Sequence, residues 1–216
     1  MKLVPVGDRI IVGIDIPDVS AKPIVHATGL HLPDETRDDH IVLAAGPGKY
    51  LADGSRAPMA VVPGDRAVFD EWRCQKFSWP EYQHYRRLAC VSQDDLCGVI
   101  SKEDGGMFHA LNDLLICEQL PNERKVGMIL LPAIADDRDE AIIRMIGCGK
   151  WRSDGTIESA RDYGFEAGER VLYHKRMGRH FTLNGKKYVA FEPKFVFCVI
   201  DDAQTELFTT TEVAEA

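Results

Sequence analysis

Short apolar runs, punctuated by glycine, proline and aspartate, set the pattern of this chain. RIIVGIDI (9–16), DHIVLAAG (39–46), DRAVFDEW (65–72), RLACV (87–91) and LCGVI (96–100) are rich in Val, Ile, Leu and Phe and bounded by turn formers. That combination predicts β-strands. A second set follows in the same order: DLLICEQL (113–120), EAIIRMIG (140–147), ERVLYHK (169–175), YVAFE (188–192) and FVFCVI (195–200). No long stretch has helical periodicity, so the fold class is all-β, with strands at sandwich or barrel spacing. Asp53-Gly54, Asp154-Gly155 and Asn184-Gly185 predict tight hairpin turns, because glycine tolerates the positive φ they need.

The two sets are copies. GDRIIV (7–12) aligns with NDLLIC (112–117), AAGPGKY (44–50) with MIGCGKW (145–151), and DGS (53–55) with DGT (154–156). VPGDRAVF (62–69) aligns with EAGERVLY (166–173), and DLCGVI (95–100) with the end of KFVFCVI (194–200). The offset stays between 99 and 105 residues, so one domain is duplicated with small insertions. The polar stretch SKEDGGMF (101–108) is the natural linker. This divides the chain into domains 1–103 and 104–202, with a tail, 203–216, that has little to bury.

Each copy also carries an apolar run that the strand pattern does not absorb. VGMILLP (126–132) is flanked by PNERK and AIADDRDE, and TGLHLP (28–33) is followed by DETRDD. A lone run of this kind reads as a buried strand. Position-matched runs in two copies, both ending Leu-Pro, read instead as flanked apolar loops.

Composition narrows the classes. The 216 residues are 45% hydrophobic and 28% charged, ordinary for a globular protein. Net charge is -8, shared as -4 before and after residue 105, which argues against a nucleic-acid-binding arm. The N-terminus lacks the apolar core of a secretory signal, and no run approaches the ~20 residues that cross a bilayer. A cytoplasmic protein without membrane contact is expected. The six cysteines form no C-x-x-C pair and are read as reduced, buried thiols. The histidines show no ligand spacing, the acidic runs 34–39 and 136–140 lack a calcium-loop frame, and GPGK and GCGK lack the P-loop frame. No metal, cofactor or catalytic residue is assigned. The cluster KRMGRH (175–180) is read as a hairpin tip or subunit contact, and the aromatics Trp72, Phe77, Trp79 and Tyr82 as core packing or an exposed patch.

The motifs, in this order and spacing, resemble the GroES-type co-chaperonins, the β-barrel lids of barrel-shaped chaperonins. PVGDRIIV is similar to the opening of that family, GPGK and VPGDRAVF to its middle segments, and FTLNGKKYVAF with KFVFCVI to its last strands. Leu114 replaces the opening arginine in copy two. The resemblance implies two tandem GroES-like β-barrels, each with a mobile loop that docks on a GroEL-type chaperonin and a roof hairpin. The chaperonin-binding residues it implies are Gly29, Leu30, His31, Leu32 and Pro33 in copy one and Gly127, Met128, Ile129, Leu130, Leu131 and Pro132 in copy two. The roof hairpins are Asp53-Gly54 and Asp154-Gly155. It implies further that the chain is not an enzyme, that it forms a homo-oligomeric ring, that the partner binds the ATP, and that unfolded protein is enclosed only indirectly. His31 stands where copy two has Leu130, so the second loop is the expected stronger anchor and the first weakens as the imidazole charges below neutral pH.

Two other readings compete. A medium-chain alcohol dehydrogenase uses the same barrel, but its G-x-G-x-x-G unit and zinc ligands are missing here. A structural or assembly β-barrel, for example phage-encoded, would keep the fold without chaperonin binding.

Overall fold

The structure, a computed structural model, describes residues 3–14, 39–120, 124–126, 129–131, 138–183 and 185–200, with Arg73, 124–126, 129–131 and Arg138 by backbone alone. Regular structure in these residues is strands joined by turns and short 3-10 segments, as the period-two pattern predicts.

Copy one supplies β1 (Arg9–Ile14), β2 (Asp39–Ala45), β3 (Arg66–Phe69), β4 (Gln75–Phe77), β5 (Arg87–Ser92) and β6 (Leu96–Ile100). These strands and β7 (Phe108–Ala110) form one antiparallel sheet in the order β4-β5-β1-β2-β3-β6-β7. Copy two supplies β8 (Leu115–Gln119), β9 (Arg124–Val126), β10 (Ile129–Leu131), β11 (Arg138–Ile146), β12 (Lys150–Trp151), β13 (Ile157–Glu158), β14 (Arg170–His174), β15 (Arg179–Leu183), β16 (Lys186–Phe191) and β17 (Val196–Ile200). Its large sheet runs β15-β16-β8-β11-β14-β17, the order of copy one without the last strand. β9 with β10 and β12 with β13 make two small hairpins outside both large sheets.

The match extends to register. Val12 opposes Val42 and Cys117 opposes Ile143, and in each copy a bulge falls just before that residue of the first strand, between Ile11 and Val12 and between Ile116 and Cys117. Alternate residues of each strand enter the core of their own copy. Ile10, Val12 and Ile14 pack with Val42, Ala67, Phe69, Ala89 and Leu96. Leu115 and Cys117 pack with Ile143, Val171, Tyr173, Val189 and Phe191, where the Tyr173 and Phe191 rings stack 4.5 Å apart. The other face of β8 does something different: Leu114 and Ile116 join Phe181 and Ala190 of copy two with Val68 and Cys97 of copy one in a third buried cluster. Burying apolar area on both faces of β8 welds the copies together.

The stretch 101–108 joins the copies as a turn: Gly106 N–H donates to Ser101 O and Ser101 N–H to Met107 O, closing a hairpin between β6 and β7. The division expected at 103/104 falls within this turn, and β7 lies on the sheet of copy one. One expectation changes: the thiols are not uniformly buried. Cys97 and Cys117 are, Cys74 and Cys90 are half-buried, and Cys148 and Cys198 are exposed. Cys198 follows the apolar pattern of FVFCVI yet sits on a sheet edge, where that pattern does not imply cover.

Candidate functional site

The loop segments leave both copies at one place. Gly13 opposes Ile41 near the end of the β1–β2 pairing, and Glu118 opposes Ile142 at the matching step of β8–β11. Beside these exits, ion pairs join equivalent residues: Arg66 with Asp39 in copy one and Arg170 with Glu140 in copy two. Arg66 also donates to the Asp39 carbonyl at 2.8 Å, and Gln119 Nε2 to Asp139 Oδ2 at 2.6 Å. The side chains therefore hold the roots of each segment in similar fashion.

Of the implied docking residues, Gly29, Leu30, His31, Leu32 and Pro33 lie outside the described residues, as do Gly127, Met128 and Pro132. Ile129, Leu130 and Leu131 form β10, paired with Val126, Lys125 and Arg124 in a two-stranded hairpin bonded to neither large sheet.

Each Asp-Gly hairpin is built alike. Asp53 Oδ1 accepts from Ser55 N–H at 2.9 Å and its hydroxyl at 2.6 Å, and Asp154 Oδ1 accepts from Thr156 in the same way at the same distances. These hydrogen bonds hold both carboxyls below the usual aspartate range. Gly54 and Gly155 take φ of 83° and 84°, the left-handed geometry that the sequence signal anticipates. The structure also brings the two hairpins together, with Ala52 N–H donating to Ser153 O at 2.7 Å.

Between these hairpins and the third apolar cluster runs the seam of the two copies. Asn112, at φ 58°, donates its side-chain amide to the carbonyls of Gln93 at 3.0 Å and Leu96 at 2.9 Å. Leu111 inserts into the core of copy one, and Phe108 stacks near Phe181. Asp94 accepts from Lys49 at 3.2 Å and lies 3.4 Å from Lys150. Sequence reasoning passed over these residues, although the matched lysines of GPGK and GCGK carry a signal. Of the aromatic cluster, Trp72 is 95% exposed, while Phe77, Trp79 and Tyr82 are half-buried.

Among the described residues no group of three or more His, Cys, Asp or Glu is placed to hold a metal ion. No helix among them is long and apolar enough to cross a membrane.

Against this geometry, comparison with known proteins is informative. The family model of the chaperonin 10 Kd subunit matches twice, over residues 2–100 and 107–200. Co-chaperonin GroES of Elusimicrobium minutum is 35% identical over 107 residues, 46% of this chain and 96% of that protein. Co-chaperonin GroES of Lawsonia intracellularis is 30% identical over 109 residues, 49% of this chain and 98% of its own. The 20 kDa chloroplastic chaperonin of Spinacia oleracea is 23% identical over 202 residues, 91% of this chain and 74% of its own. Two matches in one order, on two sheets of one strand order, have one reading: the chain belongs to the chaperonin 10 Kd family, the GroES-type co-chaperonins, as a tandem of two copies.

Proposed function

We propose that this protein caps a GroEL-type chaperonin ring, docking through the apolar tips 28–33 and 126–132, and so assists ATP-dependent folding of protein enclosed beneath it. One observation carries the reading: in each copy the segment bearing the apolar Leu-Pro motif leaves between the first two strands at matching register, so one chain offers two tips from equivalent places. Several chains in a ring multiply them. The working units are 1–103 and 104–202, and the site of action is the cytoplasm.

The energetics favour many weak contacts. Burying one Leu or Ile side chain contributes roughly 1.5 to 3 kcal/mol, while ordering a free backbone costs roughly 1 to 2 kcal/mol per residue. A single tip then binds weakly. Linked tips bind at high effective concentration and still release one at a time, which suits a lid that must come off. ATP chemistry resides in the partner.

The test is limited proteolysis near residues 20–37 and 122–138 with and without chaperonin and ATP, together with binding by Leu32→Asp and Leu130→Asp variants. Protection by chaperonin is expected, with the larger loss from Leu130→Asp and a growing deficit of the first tip below neutral pH. Unprotected cleavage, or full binding by both variants, overturns the reading.

A further inference from the structure

The indole of Trp72 stands in solvent, 95% exposed, on a turn whose backbone is firmly fixed. The Asp70 carboxylate accepts from Trp72 N–H at 2.9 Å and caps the 3-10 segment Glu71–Arg73. The flanking residues are tied as well. Glu71 Oε2 accepts from Lys76 Nζ at 2.6 Å, and Cys74 Sγ donates to the Glu71 carbonyl at 3.1 Å. A large apolar ring held out in water by a built turn marks a surface that something covers.

The connection that carries Trp72 touches both roots of the segment bearing the first tip. At the outgoing root, Arg86 N–H donates to Ile14 O at 2.9 Å. A Cβ on Gly13 would stand 2.6 Å from Tyr85 Cδ1, so the tyrosine ring lies directly on β1. At the returning root, Glu71 Oε1 lies 3.3 Å from Nε2 of the buried His40, the second residue of β2. Pro33 precedes Asp39 by six residues, so even a fully extended chain keeps the tip within about 20 Å of β2.

The duplicated positions differ in a compensating sense. With VPGDRAVF aligned to EAGERVLY, Trp72 corresponds to Arg176, Glu71 to Lys175 and His40 to Ala141. The tips differ the other way. GLHLP (29–33) offers two aliphatic side chains, whereas GMILLP (127–132) offers Met128, Ile129, Leu130 and Leu131. The copy with the poorer tip is the one that carries the solvated indole.

We propose that Trp72 docks on an apolar patch of the same GroEL-type chaperonin that takes the tip 28–33, and that it supplies copy one with the apolar contact its tip lacks. This rests on the capping reading above and extends it to a second contact.

Energetics favour such a contact. An aromatic side chain can bury about 150 to 250 Å², and tryptophan is among the residue types on which interfaces concentrate their affinity. Its turn is already ordered, so docking it forfeits less conformational entropy than adding an anchor to a free segment. Once the tip is bound, the turn stays within about 20 Å of the partner and binds at high effective concentration.

Tryptophan emission of the full chain tests this, read as the difference between wild type and Trp72→Ala so that every other indole cancels. The difference spectrum is expected to be that of a solvated indole in the free chain. It is expected to move to shorter wavelength when chaperonin and ATP are added with no unfolded protein present. Trp72→Ala, at an exposed position, is expected to weaken chaperonin binding about tenfold with unchanged circular dichroism, and His31→Leu in the same chain to recover most of that loss. An unmoved spectrum while sedimentation shows chaperonin bound, or undiminished binding by Trp72→Ala, overturns the inference and leaves the capping function standing. A shift produced by unfolded protein alone, or by chain concentration alone, also overturns it and assigns the indole to enclosed protein or to a second copy. A wild-type chain that never binds chaperonin overturns the capping function and this inference together.

Discussion

Lys150 Nζ of copy two lies 3.4 Å from Asp94 Oδ2 of copy one, the same oxygen that accepts from Lys49 Nζ at 3.2 Å. One carboxylate thus ties the lysines of both Gly-x-Gly-Lys motifs at the seam. Because all three side chains are partly exposed, the tie is modest. Asp94→Ala is expected to cost about 1 kcal/mol or less in urea unfolding, and less at high salt, because screening weakens exposed pairs.

Leu111 and Val6 occupy equivalent positions with opposite surroundings. Leu111→Ala removes packing from a filled core and is expected to cost about 2 to 5 kcal/mol. Val6→Ala, measured where the chain is unassociated, is expected to change stability by less than about 0.5 kcal/mol. Equal costs in denaturant titrations would contradict the burial difference.

Glu71 links acid stability to copy one. Burial pushes its carboxyl up, but the hydrogen bond from Lys76 and the charges of His40, Lys76 and Arg86 outweigh it and hold the group below its usual 4.5. Lys76 Nζ stands 2.6 Å away and the buried His40 Nε2 3.3 Å. A depressed carboxyl stabilises the fold above its unfolded-state value and loses that contribution as pH falls through the folded-state value. The contribution is therefore present above about pH 4.5 and fades below it. Glu71→Gln is expected to cost about 0.5 to 1 kcal/mol at neutral pH and to flatten the acid limb of a stability profile.

The cysteines divide by reactivity. Burial pushes the Cys117 thiol far above its ordinary range and raises that of Cys74. Cys97 is enclosed, while Cys148 and Cys198 face solvent. A thiol-reactive dye should label these last two rapidly and the buried pair only on unfolding.

The duplication, the all-β class and ten of the strands could be read from the chain, because Val, Ile and Phe runs bounded by Gly and Asp are local signals. The tight turns at Gly54 and Gly155 were legible for the same reason, since a positive φ is demanded on the spot. β7 was not legible: FHA is three residues long, and its pairing with Gly98, Val99 and Ile100 depends on what lies beside it in space. Nor could composition separate Cys117 from Cys198, both set in apolar runs, because one strand is central to its sheet and the other is at its edge.

The sequence by itself determined two like domains in fixed order, each with strands, hairpin turns and an apolar Leu-Pro segment, since these follow from side-chain preference and spacing along the chain. Only the tertiary structure decided how the domains join: Leu111 buried in the other copy's core, Asp94 between two lysines, and β17 paired among the described residues with β14 on one side. Those relations set residues far apart in sequence against one another, and burial, which governs them, is a property of the packed whole.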